Sequence, residues 1–143
     1  MLQPAKLIGT SSFVRTPKEF AYYMNLDNPR IVRALRYRFK EKTIIYGIRC
    51  QVNNQIYIGS SFAPSLRFHQ HLVTGFCSNT LLQRAIKSHG LSNFTVHIFE
   101  VVDFPSTASY MDRKAILLQV EQQYLDYFPA AQEYNSINAY NPI

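Results

Sequence analysis

Tryptophan is absent from the 143 residues, and cysteine occurs only as Cys50 and Cys77. Two cysteines cannot build the disulfide framework of a small secreted scaffold. They fit a reducing compartment, where a buried thiol behaves as a small hydrophobe. No apolar run approaches the ~20 residues a membrane span needs, so no membrane contact is expected. Internal repeats and low-complexity segments are lacking. Acids are missing from Met1 to Lys18, a pattern shared with organelle transit peptides. These absences point away from secretion and towards a reducing compartment, and the acid-free start hints at an organelle. Hydrophobic residues reach 47%, too many for a disordered chain, and the length suits one domain with its own core.

The formal net charge of +6 is unevenly spread. Residues 1–42 hold nine Lys/Arg, among them Arg30, Arg33, Arg36, Arg38 and Lys40, against three acids; residues 43–143 hold six of each. The excess therefore defines a basic N-terminal arm, 1–42, beside a neutral domain, 43–143. Such a segment is the footprint of a polyanion-binding surface. The plainer alternative is a solvated helix face that aids solubility.

Thr16-Pro17-Lys18-Glu19 reads as a capped helix start, and Asn28-Pro29 starts a second helix, with Ile31, Leu35 and Phe39 at helical spacing and Arg33, Arg36 and Lys40 on the other side. Thr43 to Cys50 and Gln55 to Ser60 read as strands around an Asn-rich turn, a hairpin. Pro64 opens a helix to about Leu72, and Asn79 to His89 forms another, stopped at Gly90. Asn93 to Val102 alternates as a third strand. Thr107 to Phe128 is a long helix with Leu117, Val120, Tyr124 and Phe128 inward. The expected class is α+β: a small three-stranded antiparallel sheet flanked by helices, with a basic helical arm.

The hairpin brings two phenols, Tyr46 and Tyr57, onto one small sheet. On the helix after Pro64, Arg67 and His71 share a face at i, i+4. Glu121 lies within the apolar stripe of the long helix, where a carboxylate needs a partner such as a metal or an arginine. Taken singly, each residue has a plain structural reading. Strand tyrosines usually pack, a helical arginine is usually solvated, and Asn135 alone suits a turn. Joint occurrence gives them weight. His69, His89 and His97 read as structural, and His69, His71 and Cys77 lack the second paired motif of a zinc site.

Tyr57-Ile58-Gly59 followed by a helix bearing Arg67 resembles the second half of the GIY-YIG nuclease signature. Ile45-Tyr46 resembles the first half, with Ile45 read in the place of its glycine. The Tyr46 to Tyr57 separation is similar to that of phage and fungal mitochondrial intron-encoded members. Leu82-Gln83-Arg84-Ala85-Ile86, His89-Gly90 and Asn93-Phe94 resemble the family's middle segment. Glu121 resembles its metal-binding glutamate, and Glu133-Tyr134-Asn135 its closing element. The likeness spans Thr43 to Asn135.

The resemblance implies one-metal hydrolysis of a DNA phosphodiester. Mg²⁺, or another divalent cation such as Mn²⁺, would sit on Glu121, since a hard cation often takes a single carboxylate with water and phosphate filling the rest. Arg67 would clamp a phosphate oxygen. Tyr46 would act as general base or water-positioner if a nearby cation lowers its pKa from ~10. Tyr57 would orient water or phosphate, His71 would share in proton transfer, and Asn135 would fix geometry. With the chain ending at Ile143, soon after this element, the basic arm is expected to supply affinity. Phosphate contacts of that kind position but do not specify sequence. Two functions stand at this point: a homing-endonuclease-like enzyme, or a silent protein of the same fold recruited to bind RNA among the proteins of a ribonucleoprotein such as a mitochondrial ribosome.

Overall fold

The computed structural model describes residues 20–128. The helix start expected at Thr16-Pro17-Lys18-Glu19, and Glu133-Tyr134-Asn135, lie outside the described residues. In chain order the elements are β1 (Ala21–Tyr23), α1 (Pro29–Phe39), β2 (Ile44–Cys50), β3 (Ile56–Ser61), α2 (Pro64–His69) running into a π turn (Gln70–Thr74), α3 (Thr80–His89), β4 (Phe94–Val101) and α4 (Tyr110–Tyr127). The class is α+β, as expected. The sheet has four strands rather than three, all antiparallel, in the order β1-β4-β2-β3.

The added strand replaces the end of the first expected helix. Ala21, Tyr22 and Tyr23 pair with Ile98, His97 and Val96, and the Phe20 N–H donates to the Ile98 carbonyl at 2.7 Å. The capping signal upstream is local. The open edge of β4 offers ladder hydrogen bonds, and the tyrosines suit a half-buried pleated surface, so tertiary pairing wins. Asn25, at φ +59°, turns the chain out of β1, and the Asn28 side chain caps α1 by accepting from the Arg30 N–H at 3.0 Å.

Alternation divides the sheet into two faces. Ile44, Tyr46, Ile48, Tyr57, Val96 and Ile98 face α1, α2 and α3, where Val32, Leu35, Phe39, Phe68 and Leu82 close one core. Ile45, Ile56, Ile58 and Phe99 face α4 and meet Leu117, Val120 and Tyr124. A register shift at Ile45/Tyr46 leaves Phe99 as the extra residue of a bulge in β4. The long helix begins at Tyr110, not Thr107, because Ser109 and Asp112 form a reciprocal capping box.

Residues 20–42 thus contribute an edge strand and a packed helix as well as charge. Leu35 is fully buried beneath α1. Leu35→Ala is expected to lower unfolding free energy by about 3 kcal/mol in urea titrations. A loss below about 1 kcal/mol would be the size of a surface change, and would mean that α1 does not share the core.

Candidate active site

The hairpin sets the site. Tyr46 pairs with Gly59, and Ile48 pairs with Tyr57. The two phenols are therefore diagonal neighbours on one face, with ring centroids 6.3 Å apart. A Cβ built on Gly59 would lie 2.5 Å from the Tyr46 hydroxyl oxygen. The tyrosine lies across β3 because the opposite residue has no side chain. Counting back from Tyr46, the place of the signature's glycine falls at Ile44 and not at Ile45; Ile44 is wholly buried on the same face as Tyr46.

Helix α2 brings the next two groups. Phe68 packs its ring against Tyr46 at 5.0 Å, which turns Arg67 towards the rim and His71 inward. His71 sits in the π turn, a distortion that often marks functional sites. Its Nε2 is 2.8 Å from the Tyr46 hydroxyl, and its Nδ1 is 2.7 Å from Ser78 Oγ. Gln83 Nε2 donates to Ser78 Oγ at 2.8 Å and to the His71 carbonyl at 2.9 Å. The Ser78 oxygen has two lone pairs and is placed to accept from both the Gln83 amide and Nδ1–H, which leaves Nε2 to accept from the Tyr46 hydroxyl. Arg67 donates to Gln70 Oε1 at 2.9 Å and to the Cys77 carbonyl at 2.7 Å, and it lies within hydrogen-bonding reach of both phenols.

Glu121 arrives from the opposite face of the sheet. It lies half-buried on α4, where Ser60, the residue after Gly59, donates a hydrogen bond to its carboxylate. Strand β3 is the sheet edge. The site therefore folds around that edge, with the phenols, Arg67 and His71 on one side and Glu121 on the other. Its parts still sense one another, for Glu121 raises the pKa of both phenols and Arg67 lowers that of Glu121.

Burial dominates the protonation states. It holds Tyr46 well above the ordinary tyrosine value, with Tyr57 adding to the rise and Arg67 opposing it. Burial likewise raises Tyr57 against the pull of Arg67. Burial first, then the charge of Arg67, lowers His71 to about 3. Burial raises Glu121, while the Ser60 hydrogen bond and Arg67 lower it. For Arg67 burial opposes the charge, but the two phenols offset this and its pKa is raised. The expected lowering of Tyr46 by a nearby cation is thus outweighed: the resting site holds neutral phenols beside a neutral imidazole.

The structure brings Tyr46, Tyr57, Arg67, His71 and Glu121 together; Asn135 lies outside the described residues. Ser60, Ser78 and Gln83 were not anticipated. Ser60 was reachable from alternation, which turns it towards α4, but the loop contacts of Ser78 and Gln83 leave no trace in spacing. Among the basic residues of α1, Arg36 is committed to α2. Its Nε donates to the Ser65 carbonyl at 3.0 Å, and NH1 lies 3.0 Å from His69 Nδ1. Arg38 bonds the Tyr23 hydroxyl at 3.2 Å and Lys40 lies over the Tyr37 ring at 4.6 Å, while Arg30 and Arg33 are exposed. His97 bonds Thr95 and stacks on Phe99.

An edge-wrapped site with two tyrosines, an arginine and a glutamate defines a class of domain. Residues 42–135 match the GIY-YIG catalytic domain family, and the chain belongs to that family. It is also 34% identical over 111 residues to "Probable intron-encoded endonuclease 1" of Neurospora crassa, an alignment covering 78% of this chain and 35% of that protein. The chain thus spans about a third of the length of that relative. No solved structure matches. No helix among the described residues is long and apolar enough to cross a membrane.

The buried imidazole gives a pH test. His71 has a folded pKa below its unfolded value. The stability it contributes is complete above pH ~6.5 and is lost as pH falls towards about 3. Between pH 6.5 and 4.5 this amounts to about 2–3 kcal/mol. Glu121, whose folded pKa is raised, acts in the opposite sense as its carboxyl takes up a proton. Urea titrations are expected to show wild type losing stability over this window, and His71→Gln losing distinctly less. Equal slopes would mean that His71 titrates normally in the folded protein.

Proposed function

We propose that the chain is a metal-dependent nuclease domain that hydrolyses phosphodiester bonds in DNA, in the manner of a homing endonuclease. The observation that carries this reading is the joining of Arg67 and Glu121 to the Tyr46–His71 pair around one edge strand of the sheet. Membership of the GIY-YIG family and likeness to an intron-encoded endonuclease support it.

Glu121 fits a hard divalent cation, Mg²⁺ or Mn²⁺. Burial leaves its carboxylate at a cost that Ser60 and Arg67 only partly offset, and one carboxylate suffices where water and phosphate complete the sphere. Among the described residues no cluster of three His, Cys, Asp or Glu forms a cage. When bound, the cation would stabilise charge developing on the phosphate and leaving oxygen.

This chain's own groups then have distinct tasks. Arg67 would hold a non-bridging phosphate oxygen. The acceptors it already bonds, Gln70 and the Cys77 carbonyl, are neutral and leave its charge uncancelled. Tyr57 would orient the attacking water. As the water oxygen bonds to phosphorus and the bond to the leaving sugar oxygen breaks, the water proton passes to the Tyr46 oxygen. The Tyr46 proton moves to His71 Nε2, and the leaving oxygen takes a proton from solvent. This relay requires His71 to become basic. The charge of Arg67 is one of the two causes of its low pKa, so a phosphate on Arg67 removes part of that penalty when the proton must move. Asn135 would support this geometry, and the exposed Arg30, Arg33, Arg38 and Lys40 would contact backbone phosphates outside the site. An organelle matrix fits the acid-free start and the intron-encoded relative.

Nicking of supercoiled plasmid in Mg²⁺ tests the reading. Wild type is expected to nick, and Glu121→Ala and Arg67→Ala to lose at least about 100-fold in rate while staying folded. Folded wild type that never nicks, on plasmid or on DNA of the host locus, would overturn it. Co-purifying RNA held by α1 would then favour a silent RNA-binding protein of the same fold. In a separate binding assay, Arg30→Ala/Arg33→Ala is expected to weaken all sequences alike. It should also reduce the slope of log K against log salt by about 2, since each side chain would neutralise a phosphate of its own. An unchanged slope would remove α1 from the nucleic-acid-binding surface.

A further inference from the structure

Phe76 is 78% exposed, more than any other large apolar side chain among the described residues. Single exposed hydrophobes are ordinary, but the backbone that carries this one is tied to its neighbours. Gly75 at φ +74° and Cys77 at φ +56° flank it, and its N–H donates to Thr74 Oγ1 at 3.1 Å. The loop is bonded to the site itself: the Cys77 carbonyl accepts from Arg67, and Ser78 holds His71. The phenyl ring therefore stands one residue from the partner of the phosphate clamp. Beside it, a groove of about 390 Å³ lies between this loop and α3, lined by Gln83, Arg84 and Lys87. Arg84 and Lys87 are exposed, one turn apart on the same helix face.

Charge points to the occupant. The even balance of residues 43–143 conceals a split. From 43 to 99 the chain holds Arg49, Arg67, Arg84 and Lys87 and no acid, and all six acids lie from Glu100 onward. α4, which carries three of them, covers the opposite face of the sheet. The groove thus presents an aromatic face and two cations with no carboxylate among its lining residues. An aromatic side chain beside a basic groove is the arrangement that receives a single nucleic-acid strand, with bases stacking and cations tracking phosphates.

We propose that Phe76 is a stacking platform for a base splayed from the strand next to the scissile phosphate, with Arg84 and Lys87 holding the phosphates that follow. This rests on the nuclease reading above, and it adds a strand path that runs along α3.

The absence of tryptophan makes a direct test possible. Phe76→Trp in the full chain gives a single tryptophan at the platform, excited at a wavelength the ten tyrosines do not absorb. Titration with a single-stranded oligonucleotide, in buffer free of divalent metal, is expected to quench it. An abasic sugar-phosphate strand of the same length should quench far less. Phe76→Ala is expected to weaken oligonucleotide binding about tenfold, Phe76→Tyr to keep it, and Arg84→Ala/Lys87→Ala to lower the salt slope. Wild-type affinity in Phe76→Ala, or equal quenching by the abasic strand, would overturn the platform. Equal quenching by polyglutamate would overturn it in favour of an acidic protein partner. If plasmid nicking persists while these tests fail, only the platform falls. A protein that neither binds nor nicks nucleic acid overturns both readings.

Discussion

A tyrosine lying across a glycine organises this molecule. The Tyr46 ring can cross β3 only because Gly59 offers no Cβ. Once there, it is wholly buried among Tyr57, Phe68 and His71. The hairpin register, the seating of α2 on the sheet and the position of His71 all follow from that one crossing. Any side chain at Gly59 would push the phenol off its hydrogen bond to His71 or part the strands, so the hairpin and the site cannot be tuned separately.

Burial has an electrostatic consequence. Four ionisable groups crowd a small volume, and desolvation pushes Tyr46, Tyr57, His71 and Glu121 towards their neutral forms. Arg67 alone keeps a firm charge. A site prepared in this way concentrates its positive potential on one guanidinium at the rim. Anion binding there changes the field felt by every neighbour. In the proposed mechanism, coupling between phosphate binding and proton movement would thus come from the packing, with no group needing a shifted resting pKa suited to catalysis.

Much of this was legible in the sequence, because the hairpin is a local structure. Two β-rich runs around Asn53-Asn54 place Tyr46 near Tyr57, and Pro64 followed by helical spacing places Arg67 and His71 on one face. Glu121 was recognisable as a carboxylate in an apolar stripe. That it approaches from the other face of the sheet was not, because the side on which α4 packs is a tertiary outcome. Strand β1 was hidden for a similar reason. Local capping chemistry favoured a helix, and only the unpaired edge of β4, distant in sequence, made extension favourable. The Ser78 and Gln83 supports of His71 depend on a loop folding back over a π turn, which no periodicity reports.

The same sheet that separates Glu121 from Arg67 also separates charge. Six of the nine acids lie from Glu100 onward, while α1, α2 and α3 on the other face carry most of the Lys and Arg of the described chain. A nucleic-acid backbone drawn to the basic face would slide towards the β3 edge, where the basic surface ends and Glu121 begins. Attraction alone would hold the strand anywhere on that face. In the proposed reaction the one carboxylate of the site would hold the cation where that basic surface ends, at the strand edge. Placing Glu121 behind β3 would therefore do more than complete the proposed ligand set. In the proposed reaction it would keep the carboxylate from repelling the polyanion on the approach and bring it into play only where the phosphate is cut.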